Sequence, residues 1–295
     1  MQIAIHAGVH ATDEDRLVRG LLKNREALAG AGICVPGPSR YRRALRDVLH
    51  ELTRAAPPEG AREALLAQIA EGPAPDQRPE RLVLSHENLF CVPKLTLQDA
   101  QLYRQAESRL ADLSALFPDD QIELFLGLRN PASWIPELFR LIPEEDFTTF
   151  LGAVEVRELF WSDLVRRLRG AAPEVRLTVW CNEDTPLIWG EILRRMTGLP
   201  SEAPVAGGWD ILREIMAPEG LTRFRQFLDT HPGIDEAQRR RAAETILATY
   251  AMPEVLTQSI ALPGWTPELV AELTQRYEGD LENVAAIGGV HLIRP

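Results

Sequence analysis

Apolar runs of strand length alternate with amphipathic helical stretches over the first two-thirds of the chain. "QIAIHA" (2–7) leads into "EDRLVRGLLKNREALAGAG", where Leu17, Val18, Leu21, Leu22 and Leu28 fall on one face at helical spacing. Gly30 and Gly32 end that helix, and "GICVPGP" reads as a short second strand running into a turn. "SRYRRALRDVLHELTRA" is amphipathic, with Ala44, Leu45, Val48, Leu49 and Leu52 inward. "EGPAPDQRPE" has little to bury and reads as a mobile loop. "RLVLSHE" (81–87), "QIELFLGLR" (121–129) and "VRLTVWC" (175–181) follow as strands, each preceded by a helical segment. Such alternation predicts an α/β fold, a mostly parallel sheet of about five strands with helices on both faces.

After Pro200 the pattern changes. "GLTRFRQFLDTH", "DEAQRRRAAETILATYA" and "TPELVAELTQRYEGDLENVAAI" are helical, and only "GVHLI" (289–293) could close the sheet. The expected organisation is therefore an α/β core over 1–200 and a mainly helical subdomain over 201–295 packed on it. Trp209 lies in "VAGGWDIL", on a Gly-Gly turn that reads as packing or as the hinge of a lid.

Composition narrows the function classes. The 295 residues are 45% apolar, enough for a sizeable core. Lys+Arg 32 against Asp+Glu 43 leaves −11, a surface that repels nucleic acid and anionic membranes. No apolar run reaches the roughly 18 residues of a membrane span. No leader pattern precedes the first strand. Cys34, Cys91 and Cys181 are scattered and odd in number, which suggests buried thiols in a reducing compartment such as the cytoplasm.

Ligands of open α/β sheets bind beyond the carboxyl ends of the strands. The residues there are His6 to Asp15, Ser85 to Asn88, Arg129 to Pro131 and Asn182 to Asp184. Ser85 and His86 are adjacent on a strand and point to opposite faces, which argues against a nucleophile–base pair. Thr12 is placed to cap the first helix in a box with Asp15, leaving Asp13 and Glu14 in the first turn, where the helix dipole favours acids. A second reading gathers His10, Asp13, Asp15, His86 and Glu87 into a His/carboxylate set for a divalent metal, as in a metal-dependent hydrolase. Arg40, Arg42, Arg43 and Arg46 form the strongest basic cluster. It reads as a solvated helix face, or as a site for an acidic protein or polyanionic glycan.

The stretch "IAIHAGVHATDEDRLVRGLLKNREALAGAGICVPG" resembles the opening of the bacterial sulfotransferase-like P-loop family. His6, Gly8, His10, Thr12, Asn24, Gly32, Ile33 and Pro36 hold their places. "RLVLSHENL", "ELFLGLRNP" and "LPGWTPELVAELTQRYEGDLENVAAIGGV" are similar to later elements of that family. The resemblance implies a three-layer P-loop fold binding 3′-phosphoadenosine 5′-phosphosulfate, with Gly8 and Thr12 in the donor loop and Arg129 on the 3′-phosphate. His10 and Glu87 are the residues it offers for catalysis. The departures are severe. Ala11 stands at the family's lysine, Asp13 at its glycine, Glu14 and Asp15 at its two hydroxyl residues, and Glu137 at its serine. The expectation is therefore a degenerate sulfotransferase-like protein that needs no cofactor and acts as a binding or scaffold module. The alternative is a group-transfer enzyme acting on a carbohydrate or small hydroxyl acceptor.

Overall fold

In a computed structural model the chain is described over residues 1–69, 79–142, 146–256 and 262–295. Six strands, β1 (Gln2–His6), β2 (Ile33–Cys34), β3 (Arg81–Ser85), β4 (Gln121–Leu128), β5 (Arg176–Cys181) and β6 (Val290–Ile293), form one sheet in the order β2-β3-β1-β4-β5-β6. Every pairing is parallel, so each connection crosses a face of the sheet. The α/β class and parallel sheet follow the expected pattern, with one strand more than five because residues 290–293 join the edge beside β5. Residues 71–78 of the expected mobile loop lie outside the described residues.

The helices of the first half are α1 (Arg16–Leu22), α2 (Arg25–Gly30), α3 (Pro38–Leu52), α4 (Ala61–Ile69), α5 (Ala106–Leu116) and α6 (Pro131–Arg140). They are followed by α7 (Phe147–Leu151), α8 (Trp161–Ala171) and α9 (Thr185–Thr197). The C-terminal third adds α10 (Leu212–Ile215), α11 (Pro218–Thr230), α12 (Glu236–Tyr250), α13 (Pro253–Leu256) and α14 (Pro267–Ala285).

Strand alternation divides the core in two. Ile3 and Ile5 of β1, with Leu82, Leu84, Leu124 and Leu126, pack under α3, α5, α6, α8 and α14. Ala4, Val83, Phe125 and Trp180 point the other way, under α1, α2 and α9. Burial on both faces explains why these strands read as continuous apolar runs. A third, smaller cluster ties α10, α11 and α12 together around Leu212, Met216, Phe224 and Ala243. The last 34 residues return to the core, because α14 packs on α6 and α8 and β6 extends the sheet.

The single helix expected over 14–32 is two. Asn24 breaks it: its side-chain amide donates to the Gly20 carbonyl (2.9 Å) and to the Ala206 carbonyl (3.0 Å). Its side-chain oxygen also accepts from the Ala206 N–H at 2.7 Å. A tertiary contact with the C-terminal third thus competes successfully with the helical periodicity. Among the described residues no helix is long and apolar enough to cross a membrane.

Candidate functional site

β1 is a central strand, and the loop leaving it stays attached to β4. The N–H groups of Ala7 and Val9 donate to Phe125 and Gly127 at 3.0 and 3.3 Å, and the Gly127 N–H donates to Gly8 at 2.9 Å. Gly8 has a φ of +99°, and a Cβ there would lie 3.1 Å from the His10 nitrogen, so the turn needs glycine. Beyond it the loop closes on itself. The Thr12 hydroxyl donates to the Val9 carbonyl at 2.6 Å, and Ala11, Glu14 and Asp15 all take left-handed φ values.

That backbone overturns the expected cap. The helix begins at Arg16, after Asp15 at φ +63°, and its first turn contains no acidic residue. Thr12 is bonded back to Val9 and no longer available. Asp13 does the capping instead: its Oδ1 accepts the Leu17 N–H at 2.7 Å, while its carbonyl accepts from Arg16 N–H at 2.8 Å. Asp13 is buried, 8% exposed, and burial pushes its carboxyl up to about 6, with neighbouring Asp15 adding to the rise.

The arginine cluster of α3 is not uniform. Arg42 turns inward, with Nη2 2.5 Å from the Asp15 carboxylate and Nε donating to the Ser85 carbonyl at 3.0 Å. The hydrogen bond from Arg42 holds the Asp15 carboxyl below its usual range. Arg43 and Arg46 face solvent and share Asp47, at 3.5 and 3.0 Å. Tyr41, beside Arg42, bonds both the N–H and the carbonyl of Ser85 through its hydroxyl, at 2.9 and 2.7 Å.

His10 is fully buried and fully used. Its Nδ1 lies 2.9 Å from the Tyr103 hydroxyl, its Nε2 3.0 Å from Asn88 Oδ1, and its ring stacks on Tyr103. The Trp134 indole N–H donates to the His10 carbonyl at 2.9 Å. Burial lowers the ring's pKa, so at neutral pH it is a neutral structural strut with no free nitrogen to move a proton.

Glu87 is half-buried, and its carboxyl is pushed up first by burial and then by Asp13 and Asp15. The Glu87 backbone lies against Gly8 of the loop, next to the backbone contact of the His86 N–H with the His6 carbonyl (2.8 Å). His86 is buried with neither ring nitrogen bonded, and burial followed by the nearby Arg42 charge lowers it to about 4. Ser85 does not meet His86. Its hydroxyl pairs with His6 Nδ1 at 2.9 Å, because the two residues are register partners on β3 and β1. Both are buried, and His6 is lowered to about 4 by burial, so this pair is sealed from any substrate.

Of the residues in the metal reading, Asp13 is committed to the Leu17 N–H, Asp15 to Arg42 and His10 to Tyr103 and Asn88. Among the described residues no group of three or more His, Cys, Asp or Glu is placed to hold an ion.

Arg129, at the exit of β4, is tied into the same loop. Its Nη1 donates to the Ala11 carbonyl at 2.5 Å and its Nε to Ser133 Oγ at 3.1 Å. Beyond it, Glu183 accepts from the Asn130 N–H at 2.9 Å, and the Tyr277 hydroxyl sits 3.1 Å from both Glu183 Oε2 and Cys181 Sγ. Glu137 pairs with Arg140 at 3.0 Å. All three cysteines are buried, as expected.

The helical cluster latches onto the first helix. Arg16 bridges Glu14 at 3.2 Å and Glu214 of α10 at 2.9 Å, and Lys23 pairs with Asp210. Tyr103, Asn88, Trp134 and Tyr277 organise the site; Asn88 is one of the expected strand-exit residues, whereas Tyr103 and Tyr277 are not legible in the sequence. They act from positions up to 149 residues away from the groups they bond, and no local pattern marks them. Comparison with known proteins finds no family model, no curated protein and no solved structure that matches the chain.

Proposed function

We propose that the chain is a degenerate sulfotransferase-like protein of P-loop type, one that works as a binding or scaffold module instead of transferring sulfate. The strand order, with the loop–helix turn leaving the central strand β1, is compatible with that fold. One observation carries the functional half of the reading. The loop where the resemblance expects a phosphosulfate is filled by the protein's own groups: Asp13 on the Leu17 N–H and Arg129 on the Ala11 carbonyl.

The energetics point the same way. A like-charge pair about 5 Å apart at an effective dielectric near 20 costs on the order of 3 kcal/mol. Asp13 and Asp15 face the loop, with Glu87 beside them, and Arg42 is already paired with Asp15. α1 has only 7 residues, so it brings little dipole to offset them. A donor would also have to detach Arg129 from a carbonyl before using it. In this reading the outward face of α3, Arg43 and Arg46 above all, is where an acidic partner or polyanionic glycan would dock, weakened by the shared Asp47.

Calorimetry with 3′-phosphoadenosine 5′-phosphate tests the proposal. The expected result is no saturable binding at sub-millimolar concentration. Binding tighter than about 100 μM, weakened at least tenfold by Arg129→Ala, would restore the enzyme reading; tenfold is about 1.4 kcal/mol, a modest loss for a charged contact.

A further inference from the structure

Between the core and the helical cluster lies a cavity of about 420 Å³, within the range of small-molecule sites. It shares no residue with the β1–α1 loop. Its apolar wall is Trp209, Leu221, Phe224 and Leu228, and the Trp209 indole meets the Phe224 ring edge-to-face with centroids 5.0 Å apart. Trp209 is half-buried and lines the opening, so part of the indole is left for another ring to cover.

The polar side is cationic, on a chain whose net charge is −11. Lys23, Arg213 and Arg225 face a single carboxylate, Asp210. Asp210 is in contact with Lys23, and Arg213 reaches it only at 3.7 Å. Arg225 is exposed, and among the described residues no carboxylate pairs with it. Gly207 keeps the turn open: its φ is +77°, and a Cβ there would overlap the Asp210 carboxylate. The cavity thus offers an unfilled positive charge next to a partly open indole.

We propose that this cavity binds a small aromatic carboxylate, its ring against Trp209 and its acid group toward Arg213 and Arg225. A neutral arene would leave the cations unmatched, and an aliphatic acid would leave the indole face uncovered. Lys23, just after α1, lines the cavity together with residues of α11.

The test is titration of the full chain with 2-naphthoate, followed by calorimetry and ligand-observed NMR. Comparators are 2-naphthamide, which lacks the charge, and cyclohexanecarboxylate, which lacks the ring. Saturable one-site binding of 2-naphthoate is expected, with both comparators at least about three-fold weaker, the scale of one exposed charge contact. Arg225→Gln should bring 2-naphthoate down to the level of the amide. Arg54→Gln, an exposed change of the same charge just beyond the end of α3, should leave it unaltered. No saturation by 2-naphthoate at 10 mM, or equal binding by Arg225→Gln and the unsubstituted protein, overturns the proposal.

Discussion

Asp13→Asn probes the closed loop most informatively, because the buried carboxylate is there at a cost. Folded Asp13 titrates near 6, whereas the unfolded chain releases that proton near the ordinary 3.8. Between those values the folded state binds more protons than the unfolded one, so stability falls as pH rises from about 4 to about 6 and is level above. Each pH unit of that interval is worth about 1.4 kcal/mol, which puts the cost of the ionised group near 3 kcal/mol at neutral pH. The asparagine side-chain oxygen can still accept the Leu17 N–H, and the rise to about 6 is already net of that bond. Asp13→Asn should therefore be more stable than the unsubstituted protein by about 3 kcal/mol at pH 7.5, and by roughly half of that at pH 5. Urea unfolding with linear extrapolation at the two pH values measures both gaps. A variant less stable at pH 7.5, or a gap that does not shrink at pH 5, would refute the reasoning.

Ala11→Gly relieves a left-handed alanine and should stabilise by about 0.5–1 kcal/mol in the same assay; a loss above about 0.5 kcal/mol would contradict the loop geometry. Arg42→Met removes the Asp15 ion pair and a bond to the buried Ser85 carbonyl, costing about 1–2 kcal/mol at pH 7. Because Asp15 titrates below its ordinary value in the fold, its share of that loss should fade as pH drops through the carboxylate range, and a pH-independent cost would argue against the pair. Tyr277→Phe deletes the hydroxyl shared by Cys181, Glu183 and the Leu128 carbonyl (3.2 Å), for about 1–2 kcal/mol of stability; an unchanged urea midpoint would show that hydroxyl to be idle.

The sheet was legible because its strands are buried on both faces and stand out as apolar runs between helical periods. Even the short edge strand at 290–293 stands out once the preceding helix is marked. What was not legible came from contacts distant in sequence. The break at Asn24 depends on the backbone of Ala206, and the inward turn of Arg42 depends on Asp15 and Ser85. Thr12 has the right chemistry for a cap, and so does Asp13. The choice between them is made by three non-glycine residues in left-handed conformation, which local propensity disfavours. Parallel topology delivers the strand-exit loops to one edge, a convergence that the sequence leaves open. The roles of the residues on those loops were not legible either, because Tyr103, Asn88 and Trp134 occupy the groups of His10 that chemistry would need.

The central claim, that the protein's own carboxylate occupies the turn, is tested most directly at the Leu17 amide by NMR. Its proton shift should titrate with a midpoint near pH 6, lose that titration in Asp13→Asn, and stay unmoved by millimolar 3′-phosphoadenosine 5′-phosphate. A Leu17 amide that is flat with pH and shifts saturably on adding the nucleotide would contradict it.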